Sequence, residues 1–453
     1  MEYTLPASVL ILIPFFVLIL EQLVPKYLNL PPGRRPWPVL GNILHIGKIP
    51  HISLAQFAKI HGPLISVRLG TQLVVVALSS DTAAEILKAQ DRLLSARSVP
   101  RVVSYELSVI DQHSILWSSD LNNHWTFSRA FCRTHLFSPK AVESHAALRE
   151  KKVFEMIDFL MSKKGKTVKI SEIVFCAILN TWGNLFFSKD LCHLDYEMNT
   201  SGIKHIIRKL LELGVMPNVS DFYPVFDALD MQGLRKKTKI YQDQLFNVWN
   251  EIVKEKRHAI SSGSIMKNQD FLDVMIDSGF SDLQINFLLI ELISAGSDTT
   301  TSTIEWAMAE LLRNKDVMHK LQAELKSKIG SDDTIIESKI NELLAACVKE
   351  TLRIHPPSPL LIPRRAPKTC KIMNYTIPKN SRRQNFEFIP FGAGRRICPG
   401  LPFARQEVHL ILASLIYYFE WSLPNDEDPM QLDMEEKFGV TLHKEKPLLV
   451  VPI

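Results

Sequence analysis

The sequence predicts a mainly α-helical protein with small β-sheets: one large globular domain behind an N-terminal transmembrane helix. Three observations predict this. From about residue 81 onward the chain is dominated by apolar stretches at helical spacing, among them 289–306, 340–354 and 401–418. Short β-branched runs gather in residues 63–77 and are split there by Gly70. Residues 3–20, YTLPASVLILIPFFVLIL, carry no charge.

That uncharged run spans about 27 Å as a helix, close to the thickness of the endoplasmic-reticulum bilayer. A cleaved leader would want a basic start and a small-x-small site, whereas this run follows Glu2 and leads into Glu21-Gln22-Leu23-Val24-Pro25. A buried core helix is the other alternative. Lys26, Arg34 and Arg35 come next, so the positive-inside rule leaves the rest of the chain in the cytosol, as a single-pass protein. The expected organisation is an anchor over 1–24, a proline-rich hinge over 25–42 and a globular domain over 43–453. Pro31-Pro32-Gly33-Arg34-Arg35-Pro36-Trp37-Pro38 cannot continue a helix and reads as a stiff connection. Residues 63–70 and 73–77 read as a hairpin turning at Gly70, and the polar stretch 258–268 as an exposed loop.

The 453 residues carry a net charge of +5, too little for a nucleic-acid-binding stripe but enough for a basic face, including Arg395, that docks an acidic partner. Six cysteines are scattered with no C-x-x-C pair. This argues against a disulfide framework or zinc site and for a reducing compartment.

The chemistry concentrates in Phe391-Gly392-Ala393-Gly394-Arg395-Arg396-Ile397-Cys398-Pro399-Gly400, directly before the apolar helix pattern at 401–418. Gly392, Gly394 and Gly400 suit an irregular backbone with positive φ. A helix starting just after Cys398 would present free N–H groups and a positive dipole end, which favour a thiolate. Such a thiolate can be the axial ligand of a haem iron, where it favours O–O cleavage. The alternative is a buried structural cysteine in a loop. The pattern F-x-x-G-x-R-x-C-x-G resembles the haem-binding signature of the cytochrome P-450 monooxygenases, which implies the fold of that family, haem b (iron protoporphyrin IX) as cofactor, and Cys398 as its metal ligand, with Phe391, Gly392 and Gly400 in the binding loop.

Four further motifs follow that family's order. Residues 289–306 read as a long helix interrupted at Ala295-Gly296-Ser297-Asp298-Thr299-Thr300, where glycine and back-bonding Ser/Thr side chains would loosen it. The resemblance implies that Ala295 and Gly296 lie against the haem, that Thr299 hydrogen-bonds dioxygen and that Asp298 feeds a proton relay. Glu350-Thr351-Leu352-Arg353 before His355-Pro356-Pro357 resembles the family's structural E-x-x-R pair. Arg364, with Arg365 as the adjacent alternative, matches a position that meets a haem propionate. Trp125 and Arg129 form W-x-x-x-R, donor-only groups suited to a carboxylate, and Arg396 is the third propionate candidate. Glu291, four residues before Ala295, shares its helix face. It reads either as a structural acid or as a partner for a protonated substrate amine.

Within the family, the phrases HGPLISVRLG and AGSDTTTSTIEWAMAELL resemble the plant group containing N-methylcoclaurine 3′-hydroxylase and geraniol 8-hydroxylase. The resemblance implies electrons from NADPH through NADPH-cytochrome P-450 reductase, dioxygen as co-substrate, and a small apolar or amine-bearing substrate, an alkaloid first and a monoterpenoid second. Hydroxylation and oxidative coupling stay open. One departure stands out. Asn374–Asn380 matches the family's strand before the meander, yet the haem loop's lead-in begins at Gln384, with only Ser381-Arg382-Arg383 between. Family members place several tens of residues there, including a P-E-R-F arginine that joins Glu350 and Arg353 in a buried cluster. The join at about 380–384 reads as a deletion, so a truncated, haem-deficient relative is the non-catalytic alternative.

Overall fold

The computed structural model describes residues 29–103, 106–195, 202–262, 270–329, 335–339, 342–385 and 389–453. The expected anchor at 3–20 and the first part of the hinge lie outside them. The rest of the hinge is not a free spacer. Pro31 and Pro32 carbonyls accept from the Ser66 hydroxyl and N–H at 2.7 and 2.8 Å, and Gly41 bridges Leu69, so this stretch is docked on a sheet edge.

Helix α1 (Pro50–His61) leads into β1 (Leu64–Leu69) and β2 (Gln72–Ala77), the expected hairpin, with Gly70 at φ +60° in its turn. Then come β3 (Ala96–Arg97), α2 (Asn123–Cys132), α3 (Ala146–Ser162) and α4 (Ile170–Phe187). α4 is long and apolar enough to cross a membrane, but it is 89% buried against neighbouring helices and is a core element. Helices α5 (Ile203–Val215) and α6 (Leu234–Ser261) pack on each other. The end of α6 takes up residues 258–261 of the expected loop. Residues 263–268 of that loop lie outside the described residues.

Helix α7 (Asp282–Arg313) is the spine of the molecule and packs on α4. A reciprocal cap starts it: Gln284 N–H donates to the Ser281 hydroxyl at 3.3 Å, and Ser281 N–H to the Gln284 side chain at 2.9 Å. The expected interruption at 295–300 is absent. Thr299, Thr301 and Thr303 bond back to the carbonyls four residues earlier without breaking the ladder. Gly296 serves packing instead: a Cβ there would stand 2.6 Å from the Trp182 ring of α4.

After α8 (Lys315–Ile329) and α9 (Glu342–Ile354) come β4 (Arg364–Arg365), β5 (Cys370–Ile372), β6 (Tyr375–Ile377) and β7 (Arg382–Asn385). The main sheet has the order β1-β2-β7-β4-β3. β7, which holds the short join, runs parallel to β2 and antiparallel to β4. Helix α10 (Leu401–Tyr418) falls where the sequence predicts it and packs against α3, α7 and α9. The largest hydrophobic cluster lies among α3, α4, α7 and α10.

Candidate active site

The loop before α10 is shaped by two left-handed glycines, Gly392 at φ +67° and Gly394 at φ +70°. A Cβ at Gly394 would overlap the Leu87 carbonyl, so that position also needs the missing side chain. Gly400 does not share this role. It sits at φ −81° as the N-cap of α10, and its N–H and that of Leu401 point at the Cys398 thiol. Cys398 N–H donates to the Phe391 carbonyl at 2.9 Å and closes the loop, while the Phe391 ring packs on the core. Burial raises the Cys398 thiol, and the Gly400 N–H, Arg129 and the Leu401 N–H oppose that rise. These are the surroundings of a sulfur meant to carry negative charge.

Around that sulfur stand four arginines and an indole. Arg396 is buried, with Nε donating to the Ser95 carbonyl at 3.0 Å, Nη1 to Ile115 at 3.3 Å and Nη2 to Ser118 at 2.7 Å. Trp125 Nε1 donates to the same Ile115 carbonyl at 3.0 Å, and Trp125 N–H caps onto Asn122. The Arg129 and Arg396 guanidiniums both lie over the Trp125 ring, at 5.2 and 4.8 Å, and Arg129 also reaches the Ile397 carbonyl. Arg364 is buried on β4 and donates to the Ala393 carbonyl at 2.9 Å, whereas Arg365 turns to Asn380.

The fourth arginine was not singled out in the sequence. Arg97 on β3 is directly opposite Arg364 in the ladder and donates to Leu116 and Ile362 carbonyls. Only the pairing of two distant strands brings it in, and nothing local marks it. Like charges directly opposite destabilise a sheet. Burial and then the neighbouring arginines push Arg97 down, and Arg396 down to about 10. Among the described residues Arg97, Arg129 and Arg396 make no ion pair. A bound dianion with two carboxylates beside the thiol would relieve this repulsion, so the residues present fit the propionates of haem.

The other wall is α7. Ala295 is exposed and Thr299 half-exposed one turn apart, in a stretch whose Ser297, Asp298 and Thr300 are buried. Thr299 Oγ1 donates to the Ala295 carbonyl at 2.7 Å. Asp298 points elsewhere, to His443 Nε2 at 3.1 Å; burial would raise its carboxyl, but the His443 hydrogen bond and charge bring it below its usual value. Glu291 is buried and held by three donors: the Ser114 hydroxyl, and the Ile115 and Leu116 N–H groups at 2.9 and 3.1 Å. It ties α7 to the 114–116 segment that also receives Trp125 and Arg396.

The Glu350–Arg353 pair forms, as two hydrogen bonds of 2.7 and 2.8 Å, but in solvent. The side chains are 56 and 59% exposed, contrary to the buried cluster the resemblance implied. No described element covers that face of α9. Arg395, expected on a docking face, is exposed and paired with Asp91 at 3.4 Å.

A family model described as cytochrome P-450 matches the chain in two pieces, residues 31–382 and 379–451. A probable (S)-N-methylcoclaurine 3′-hydroxylase isozyme 2 of Coptis japonica is 44% identical over 476 aligned positions, covering 96% of this chain and 95% of the relative. An (S)-N-methylcoclaurine 3′-hydroxylase isozyme 1 of Eschscholzia californica is 41% identical across 94% of each chain. A corytuberine synthase of Coptis japonica is 39% identical across 97% of each. The 476 aligned positions of the first exceed the 453 residues here, so that relative carries residues with no counterpart in this chain.

Proposed function

Because the chain belongs to the cytochrome P-450 family and is a monooxygenase of it, we propose that it oxidises an amine-bearing plant alkaloid, using haem b held by Cys398. In this reading it draws electrons from NADPH-cytochrome P-450 reductase and is anchored in the endoplasmic-reticulum membrane by residues 3–20, with its catalytic domain in the cytosol. The relatives' names support the alkaloid over a monoterpenoid. The observation that carries the reading is the Cys398 thiol at the start of α10, met by two N–H groups and faced by a cage of arginines.

Haem, when bound, supplies the activation of dioxygen and the insertion of one oxygen atom into the substrate. The chain's residues do the rest. Arg97, Arg129, Arg364, Arg396 and Trp125 would hold the propionates on the side of the pocket where Cys398 lies. The N–H groups of Gly400 and Leu401 keep the thiolate from becoming a stronger base. Ala295 keeps that face of α7 low, while Gly296 lets α7 close on Trp182 of α4. Thr299 Oγ1 exchanges its bond to the Ala295 carbonyl for one to dioxygen and delivers a proton there. Asp298, through Oδ2, links the helix to the half-exposed His443, a route by which that proton is replaced from solvent.

A second reading has its own observation. The family match breaks at residues 379–382. We infer that a segment is missing between about 380 and 384, which favours a relative that holds haem poorly. The reduced, carbon monoxide-treated protein separates the two. A strongly red-shifted Soret band is expected for thiolate-held haem, and its absence in well-folded protein supports the haem-deficient reading.

A further inference from the structure

The mechanism above uses one of six cysteines. Two others, sixteen positions apart, meet on α4. Cys176 is fully buried in the middle of that helix. Asn180 lies one turn further along the same face and captures the chain as it returns. Its Oδ1 accepts the Leu191 and Cys192 N–H groups at 2.9 and 3.0 Å, and its amide donates to the Cys192 carbonyl at 2.9 Å. Cys192, half-buried, is thereby laid over Cys176: its Sγ is 3.6 Å from the Cys176 carbonyl, and the two thiols share a hydrogen bond. From the other side Lys204, buried at the start of α5, brings Nζ within 3.3 Å of Cys176 Sγ while holding Glu172 at 2.6 Å.

We propose that Cys176 and Cys192 are a redox-active dithiol that hydrogen peroxide closes to a disulfide. The arrangement has the parts such a site needs: a nucleophilic sulfur beside a cation, and a resolving thiol laid over it that is itself partly open to solvent and gives the route to the buried Cys176. The Cys192 hydrogen bond lowers the Cys176 thiol, burial opposes this, and Lys204 lowers it again. The same bond together with burial raises Cys192, so the pair's proton stays there.

The steps balance. The Cys176 thiolate attacks one peroxide oxygen, the O–O bond breaks, and the departing hydroxide takes a proton to become water. Cys192 sulfur then attacks Cys176 Sγ, the S–O bond breaks, and the hydroxyl leaves as a second water with the Cys192 proton. Two thiols are oxidised by two electrons, and one peroxide is reduced to two waters. Closure ties the chain between α4 and α5 to α4 and removes the anion facing Lys204. Lys204 and Arg208 then hold α5 to α4 through Glu172 alone. In a reducing compartment such a bond is transient, as a sensor requires.

The test is a thiol map of the full-length protein with and without hydrogen peroxide, alkylated, digested and read by mass spectrometry. A linked peptide pair containing Cys176 and Cys192, two hydrogens lighter than its parts and released by dithiothreitol, is expected. Cys132, whose buried thiol is pushed up to about 12, should resist peroxide and be recovered as the alkylated thiol once the protein is denatured, and so serves as the internal reference. In Cys192→Ser, Cys176 should be trapped as a sulfenic acid by dimedone, and Lys204→Met should slow the linkage several-fold. Oxidation of Cys347 or Cys370 while Cys176 and Cys192 remain alkylatable would overturn the proposal, as would a Cys176–Lys204 linkage in place of the disulfide. The map of the parent protein decides even if a variant folds poorly.

Discussion

The haem-loop end of the molecule and the α9 end are both built around arginine, and they treat it in opposite ways. Arg396 is 5% exposed, spends its donors on four backbone carbonyls and is crowded by Arg129 and Arg364. Arg353 is 59% exposed and has one carboxylate to itself. The first arrangement stores repulsion that an anion relieves, so it is specific for a ligand. The second is a pair in water, and such pairs add little. A buried guanidinium with no carboxylate is therefore the stronger sign of function, although the second region carries the more familiar sequence motif.

The comparison breaks most sharply by substituting one residue at each end. Cys398→Ser should abolish the thiolate-type carbon monoxide spectrum entirely, because no other described cysteine has two helix N–H groups aimed at it from a glycine-shaped loop. Arg353→Gln should leave both that spectrum and the thermal midpoint where they were. A clear fall in the midpoint would mean the α9 pair is covered after all.

The second test rebuilds the α9 end. Placing a relative's segment between Asn380 and Gln384 should raise haem per protein several-fold and bury the Glu350–Arg353 pair. Arg353→Gln should then lower the thermal midpoint far more than in the short chain, because removing one partner strands a buried charge. Equal haem content in both forms would show that the short chain is sufficient.

The helices that hold the site were legible because their signals are local. The boundaries of α10 match its apolar pattern, and the Cys398 loop lies in one continuous stretch. Arg97, Glu291's partners and the Cys176–Cys192–Lys204 group were not, because each is assembled across more than a dozen residues by strand pairing or by a returning loop. The loosening expected at 295–300 of α7 is not seen, for a different reason. Glycine and threonine weaken a helix in isolation, but Trp182 packed on Gly296 and the back-bonded hydroxyls fit a continuous one.

A smaller effect is expected at Thr299. Among the described residues its hydroxyl bonds only its own helix, so Thr299→Ala should keep haem content and spectrum. Proton delivery of this kind is worth roughly 10²–10⁴-fold. Product formed per NADPH should fall, with the missing electrons recovered as hydrogen peroxide. An unchanged yield would remove Thr299 from the proton path.

The last test concerns Glu291, which connects α7 to the arginine cage. Burial pushes its carboxyl up to about 7, despite the donors from Ser114, Leu116 and Ile115. The geometry suits the neutral acid. In the ionised form Oε1 accepts from the Ser114 hydroxyl; once protonated, the carboxyl reverses that bond and donates to Ser114 Oγ, which also accepts the Trp117 N–H at 2.7 Å, while Oε2 still accepts from Ile115 and Leu116. An unfolded chain loses this proton near 4.5 and the folded chain near 7, so between those values only the folded form holds it. The stabilisation is complete below about pH 4.5, declines as pH rises through 7 and is absent above, on the order of 3 kcal/mol across the window. Glu291→Gln keeps the same pattern without a titrating proton, its amide donating to Ser114 Oγ and its oxygen accepting both N–H groups. Melting curves of parent and variant should therefore agree below about pH 4.5, separate as pH rises from there to about 7, and stay a constant distance apart above it, with the variant the more stable. Because other groups titrate in both proteins alike, the readout is the difference between them. A difference that stays constant with pH would mean the carboxyl is ionised throughout, and that a charge, not a proton, holds the 114–116 segment in place.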